Sequence, residues 1–280
     1  MTKRLVLLAS YPKSGNTWIR AFLTALWRDG CDLDINRLMI PNVSNRDFVD
    51  GLIGVPSAEF TFREISNLRP QLYSLAARSY LGEGRLFLKI HDAFICPPDG
   101  GPAPVDANDI DRVLYIVRDP RHIVGSLARH LSMPIDHAIR IMADRKYSLS
   151  FYPMRAGAQL TQFLSSWSAH VESWTNIRNL AIQVIRYEDM VKNTEVSFRS
   201  ILEFLGISHT AESFSAALEA TQFQRLQEKE RTNGFIEKPK GDHNFFHAGD
   251  TTSWESALTP EQSAAIVESH GSAMERLNYL

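Results

Sequence analysis

Cysteine is nearly missing: Cys31 and Cys96 are the two in 280 residues, far apart and with no CxxC pair. That excludes a disulfide framework and a cysteine-rich zinc site, and points to reduced thiols in a cytoplasmic protein. An excess of one charge is also absent, since 30 Lys and Arg stand against 32 Asp and Glu, a formal net charge of −2. Proteins that track a nucleic-acid backbone are strongly basic, so no nucleic-acid partner is expected and any anion site must be local. No apolar stretch approaches the ~20 residues that cross a bilayer, so no membrane association is expected. The opening MTKRLVLLAS has a basic end and a short apolar run, but it leads directly into a polar turn, unlike a signal peptide. No Pro/Ser-rich linker, repeat or low-complexity tract divides the chain, so a single domain over residues 1–280 is expected.

What is present is apolar material, 44% of the chain, enough for a large core. Short runs rich in Val, Ile and Leu recur at Leu5–Ala9, Arg85–Ile90, Val113–Val117 and Ile182–Ile185. They do not alternate with polar residues, as expected of a parallel sheet covered on both faces. Helical spacing follows the first at Ile19, Phe22, Leu23, Leu26 and Trp27, and the third at Ile123, Val124 and Leu127. After the fourth come Phe198, Ile201, Leu202 and Leu205, with Gly206 as C-cap. The alternation predicts an α/β fold, a P-loop-like three-layer domain with a central parallel sheet flanked by helices. Ligands of such folds bind beyond the carboxyl ends of the strands. Ile40–Pro56, Cys96–Asp109 and Glu228–Thr252 read as irregular segments, either lids or plain surface.

Three groups of residues follow strand ends. The first is LLASYPKSGNTWIRAFL: an apolar strand, a turn with Pro12 and Gly15, and a helix opening near Thr17. Backbone N–H groups of such a turn converge with a helix N-terminus on one anion. Lys13, Ser14, Asn16 and Thr17 add a cation and donors. Lys13 precedes the glycine, the reverse of GxxxxGK[ST], in which the lysine reaches the outer phosphates. The second is VLYIVRDPRHIVGSLARH, where Arg118 ends a strand and Ser126 stands two turns into the next helix. A guanidinium and a hydroxyl so placed can converge on one phosphate; a surface Arg118–Asp119 ion pair is the competing reading. The third is FLKIHDAF, which puts Lys89 and His91 at a strand's carboxyl end, facing the same crevice as Lys13. An imidazole there suits proton removal from an attacking hydroxyl, although a lone histidine is more often structural.

YPKSGNTW resembles the 5′-phosphosulfate loop of the cytosolic-type sulfotransferases, which use 3′-phosphoadenosine 5′-phosphosulfate (PAPS), and the order of the other motifs extends the likeness over most of the chain, toward a bacterial-like small-molecule member. The resemblance implies that Arg118 and Ser126 hold the cofactor's 3′-phosphate and that the K-x-H carries the base, His91. IRYEDM is similar to the segment whose tyrosine, here Tyr187, touches the adenine. ATQFQRL resembles the segment flanking the purine, giving Thr221 and Phe223, and Trp18 would offer a stacking face. SSWSAHVESW resembles a helix whose tryptophans belong to the core. The family's closing loop, Arg-Lys-Gly followed by Gly-Asp-Trp, is matched only in part: His247, Ala248 and Gly249, then Ser253 and Trp254, so both cations of the 3′-phosphate clamp are missing. Lys238, Lys240, Arg225 and Arg231 are the nearby substitutes. No match to the family's C-terminal dimerisation motif is found, which leaves the oligomeric state open.

The implied reaction is sulfonyl transfer from PAPS, with PAP as product, to a hydroxyl or amine of a small-molecule acceptor (a natural product, phenol or alcohol). His91 would take the proton, Lys13 would neutralise the leaving oxygen, and Lys89 would steady the sulfonate. No metal is implied. Glu188 and Asp189 are expected to cap the helix that follows rather than to bind an ion. Acceptor walls are expected from Cys96–Asp109, Pro134–Arg155 and Glu228–Phe246, with Phe94, Tyr147, Phe151, Tyr152 and Phe235. Two other readings remain: a P-loop kinase with Asp119 as its metal-binding aspartate, and a catalytically silent nucleotide-binding protein.

Overall fold

The computed structural model describes residues 5–30, 33–82, 84–98, 100–150, 157–238, 244–246 and 254–280. Four parallel strands, β1 (Leu5–Ser10), β2 (Leu86–Ile90), β3 (Ile110–Val117) and β4 (Ala181–Arg186), form one sheet in the order β2-β1-β3-β4. Strand β1 is central, pairing Leu7 with Leu88 on one side and with Val113 on the other. Every residue of β1 is buried. Leu5, Leu7 and Ala9 face one apolar core, Val6 and Leu8 the other. This is why the run shows no alternation: both faces are covered. Strand β3 divides in the same way, with Val113, Tyr115 and Val117 opposite Leu114 and Ile116.

The helices are α1 (Asn16–Leu26), α2 (Arg46–Ile53), α3 (Phe62–Ser79), α4 (Pro120–Leu131), α5 (Ile135–Ala143), α6 (Trp167–Thr175), α7 (Tyr187–Lys192), α8 (Thr194–Leu205), α9 (Ala211–Ala220), α10 (Phe223–Asn233), α11 (Trp254–Ala257) and α12 (Pro260–Arg276). Helices α1, α8 and α9 cover one face of the sheet; α3, α4, α5, α6 and α12 cover the other. The three-layer α/β architecture is the expected one. Gly206 ends α8 in the left-handed conformation, φ 64°, as its position after the last apolar residue required. Trp167 and Trp174 are fully buried, as expected for core residues.

Some expectations need correction. Strand β2 starts at Leu86 rather than Arg85, whose guanidinium turns out to bond Asp111 and the Leu205 carbonyl. Strand β4 is not covered on both faces: it is one of the sheet's two edge strands, and Val184 is exposed. Two of the three irregular segments contain helices. Helix α2 lies within 40–56, capped by Asn45, and α10 runs from Phe223 to Asn233 and takes in the start of 228–252. Glu188 does not cap its own helix; it accepts from the Asp119 amide at 3.0 Å and from the Tyr279 hydroxyl at 3.0 Å, tying β3 to the chain's last turn. Among the described residues no helix is long and apolar enough to cross a membrane. Cys96 is a free, exposed thiol, and Cys31 lies outside the described residues.

Candidate active site

The β1–α1 turn is built to leave donors open. Lys13 and Gly15 both take positive φ, 69° and 98°. Gly15 is required twice over, because a Cβ there would stand 2.5 Å from Cδ2 of Tyr187. Helix α1 begins without a side-chain cap and without an acidic residue in its first turn. The Trp18 N–H donates to the Gly15 carbonyl at 3.0 Å, but the Asn16 and Thr17 N–H groups, at the positive dipole end, have no partner among the described residues, which is the arrangement that binds anions.

The crevice is a cavity of about 380 Å³ at the carboxyl ends of β1, β2 and β3. It brings together Lys13, Gly15, Asn16, Thr17 and Trp18 from the first motif, Lys89 and His91 from β2 and its end, and Arg118 and Ser126 from β3 and α4. Tyr187, Thr221 and Phe223 complete the wall. Ser14 is the described exception: its hydroxyl is buried, lacks a partner and is off the cavity wall. His247 and Gly249 lie outside the described residues, as do Lys240, Phe151 and Tyr152.

His91 is held in one tautomer. Its Nδ1 lies 2.7 Å from the Ser10 carbonyl oxygen, which can only accept, so Nδ1 carries the proton. Nε2 keeps its lone pair and has no partner among the described residues, while the ring lines the cavity. Burial, and then the charge of Lys89, hold this imidazole well below the usual histidine range, so it is neutral at physiological pH. Behind it, His170 Nε2 donates to the His91 carbonyl at 2.9 Å, and His170 Nδ1 accepts from Tyr115 at 2.9 Å. The next residue, Asp92, pairs with buried Arg69 and accepts from the Phe163 amide at 3.1 Å. The strand end that carries His91 is thus braced on both sides.

Asn16 departs from expectation. Its amide nitrogen donates to the Leu8 carbonyl at 3.0 Å and to Ser10 Oγ at 3.3 Å, so its side-chain donors are already used. What it can offer a phosphate is its backbone N–H. The side chain instead ties the start of α1 to the Ser10 region that orients His91, for Ser10 Oγ is also 3.2 Å from His91 Nδ1. Thr221 is likewise committed, donating to Ala217 at 2.7 Å, and contributes surface rather than a free hydroxyl.

The cations are treated differently from one another. Lys13 has no carboxylate within ion-pair distance among the described residues; its ammonium lies 3.9 Å from the ring centroid of Phe245. Burial, with Lys89, Arg118 and Arg129 nearby, lowers it to about 8. Lys89 is paired with Glu237 at 3.3 Å, and Glu237 also holds Arg20 at 2.6 Å. Arg118 stacks on Tyr187, 4.2 Å to the ring centroid, and among the described residues its hydrogen bonds reach only the Lys13 carbonyl, at 3.3 Å. It forms no pair with Asp119, which caps α4 and binds Arg121 instead, at 2.6 Å. That removes both the surface-pair reading of Arg118 and the metal-binding reading of Asp119. Among the described residues no group of three His, Cys, Asp or Glu is arranged to hold a metal ion.

The expected acceptor walls are largely elsewhere. Cys96–Asp109 contributes no described residue to the cavity, and among the described residues of Pro134–Arg155 only Leu149 lines it. Phe94 packs on Trp174, and Phe235 on Phe245 and Phe246. Glu237, Phe245 and Phe246 do come from Glu228–Phe246. Sequence reasoning missed Asn42, Arg129, His130, Gln159 and Glu237 on the wall: Asn42, Gln159 and Glu237 stand outside the three motifs, and Arg129 and His130 close the second motif, one helical turn beyond Ser126.

A nucleotide-type anion cradle, a buried neutral base and uncompensated cations at the end of a parallel sheet define an enzyme of group transfer. The chain matches the sulfotransferase domain family over residues 3–278 and belongs to it. It is 26% identical to sulfotransferase 1A1 of Rattus norvegicus over 264 residues, 92% of this chain and 80% of that protein. Sulfotransferase 2A2 of the same organism is 27% identical over 165 residues, 55% of this chain and 53% of that protein. Among solved structures, mouse sulfotransferase SULT7A1 complexed with PAP superposes with a TM-score of 0.60 at 18% identity, covering 98% of this chain and 86% of that one. Retinol dehydratase in a complex with retinol and PAP gives 0.62 at 16%, covering 98% and 82%. The P-loop kinase and the silent nucleotide-binding protein give way to a sulfotransferase.

Proposed function

We propose that this sulfotransferase binds PAPS in the cradle at the head of α1 and transfers its sulfonyl group to a hydroxyl or amine of a small-molecule acceptor. The single observation that carries the reading is the pairing of His91, neutral with Nε2 open to the cavity, with Lys13, a cation left without a carboxylate on the same cavity. The chain's residues fit the donor. Uncapped N–H groups of α1 suit the 5′-phosphate, and Arg118 has a buried Nε with no partner, which an anion would satisfy. Trp18, Tyr187 and Phe223 supply ring faces for a purine.

Bound PAPS supplies an activated sulfonyl group, with PAP as leaving group. His91 Nε2 takes the acceptor's proton as its oxygen or nitrogen attacks. Lys13 holds positive charge where the leaving oxygen gains negative charge, and Lys89, paired with Glu237, is the second cation. His247 and Gly249 complete the nucleotide side in this reading. The cavity wall also includes Asn42, bridged to Lys89, with His130, Leu149 and Gln159, a mixture that favours an acceptor with polar groups over a wholly apolar one. We place the enzyme in the cytoplasm, acting as one domain without a nucleic-acid partner, in keeping with its balanced charge and few cysteines.

Calorimetry with PAP, compared with ATP and magnesium, tests the donor; the expected result is binding of PAP and a clear preference for it. Preference for ATP overturns the reading. Labelled PAPS offered with a panel of alcohols, phenols, sugars and amines then identifies the acceptor.

A further inference from the structure

Two guanidinium groups share the nucleotide end of the cavity without an acid between them. Arg118 leaves the end of β3; Ser126 and Arg129 are three residues apart on α4 and so lie on one face of that helix. All three line the cavity. Arg129 folds back toward the start of α4: its Nη1 lies 3.7 Å from where a Cβ on Gly125 would stand, in space which that glycine leaves open. Neither Arg118 nor Arg129 has a carboxylate partner among the described residues. Arg121, by contrast, is fully engaged by Asp119 and by the Tyr279 carbonyl at 2.6 Å.

Resting on the PAPS reading, we propose that Arg129 is a phosphate-binding residue that joins Arg118 and Ser126 around the 3′-phosphate, supplying a cation that the 247–249 segment lacks. A phosphate monoester carries nearly two negative charges near neutral pH, and two guanidinium groups on one cavity match it in charge and in planar hydrogen bonding. Burial and the charge of Arg118 hold Arg129 below the usual arginine range, which a bound dianion would relieve. Three of the four substitutes expected from the sequence are otherwise occupied, and the fourth, Lys240, lies outside the described residues. Arg225 is paired with Glu219, Arg231 with Glu228 at 2.7 Å, and Lys238 with Glu230 at 3.8 Å, and none of the three lines the cavity.

The test is calorimetric titration of the full chain and its R129A and R129K variants with PAP and with adenosine 5′-phosphate, which differs by the 3′-phosphate alone. Arg129 is on an exposed helix face, so folding should survive, and melting curves check it. R129A should weaken PAP by about tenfold to a hundredfold and adenosine 5′-phosphate by less than about twofold, with R129K between. Equal loss for both ligands, or loss for neither, overturns the role of Arg129. If the unmutated protein fails to prefer PAP over adenosine 5′-phosphate, the PAPS reading itself falls, whatever Arg129 does.

Discussion

His91 Nδ1 donates to the backbone carbonyl of Ser10 at 2.7 Å, which fixes the imidazole as a neutral base with its free nitrogen toward the cavity. Since burial and Lys89 depress its protonation, the base should be active well into acid. The acid limb of kcat/KM should therefore lie below pH 6.5, not at it. H91A should lower turnover by at least ~100-fold, the scale of general-base catalysis, while PAP binding stays within a few-fold. A largely active H91A enzyme, or an acid limb near 7, would remove His91 as the base.

Lys13, lowered to about 8 by burial and by the neighbouring cations, should be partly neutral in the free enzyme above that pH. An anion on the cradle favours the charged form, so binding raises this pKa and takes up a proton. PAP affinity should be constant between about pH 7 and 8, where its phosphates stay close to dianionic, and fall as pH rises beyond that. Calorimetry at pH 8.5 in buffers of different ionisation enthalpy should show proton uptake in the native protein and much less in K13A. Absence of uptake in both would show that Lys13 does not titrate with binding.

Glu237 answers two buried cations, Lys89 at 3.3 Å and Arg20 at 2.6 Å. E237Q leaves both short of a counter-charge, a loss of about 1–3 kcal/mol, toward the lower end for breaking a buried pair because Glu237 is partly exposed. Its carboxyl is held far below the usual range by these cations, even against the cost of burial. Its contribution is therefore full above the unfolded carboxylate pKa and is lost only as pH falls through its own, far lower value. Denaturant melts of native and E237Q protein should thus differ most at neutral pH and converge in strong acid. A constant difference at all pH would assign the effect to packing.

Gly15 combines φ 98° with a Cβ direction that meets Tyr187 at 2.5 Å. G15A must either strain the turn, at about 1–2 kcal/mol for the left-handed region, or push Tyr187 off Arg118. The expected result is a lower melting temperature together with at least a ~10-fold loss of PAP affinity by calorimetry. Retention of both would show that the turn relaxes without consequence.

Much of the fold and half of the site were legible along the chain because their determinants are local. Unalternating runs at Leu5 and Val113 declare strands covered on both faces, and Pro12, Lys13 and Gly15 between a strand and a helix declare an anion cradle. Lys89 at the end of β2, His91 and Arg118 just past strand ends, and Ser126 on the helix that follows β3 were legible from those places, where a parallel sheet opens its crevice. The exposed edge of β4 was not legible, since strand order is a matter of which strands pair, and an edge strand can carry the same apolar run. Nor were the roles set by contacts across long stretches of sequence. Asn16 reads as a phosphate donor until the carbonyl of Leu8 and the hydroxyl of Ser10 are seen to occupy its amide. Glu237 reads as one charge in a polar segment until the fold lays it between Arg20 and Lys89, more than a hundred residues away. Local pattern determined where phosphate chemistry belongs in this protein; the burial and pairing of charges, which depend on distance in space, decided which groups are free to perform it.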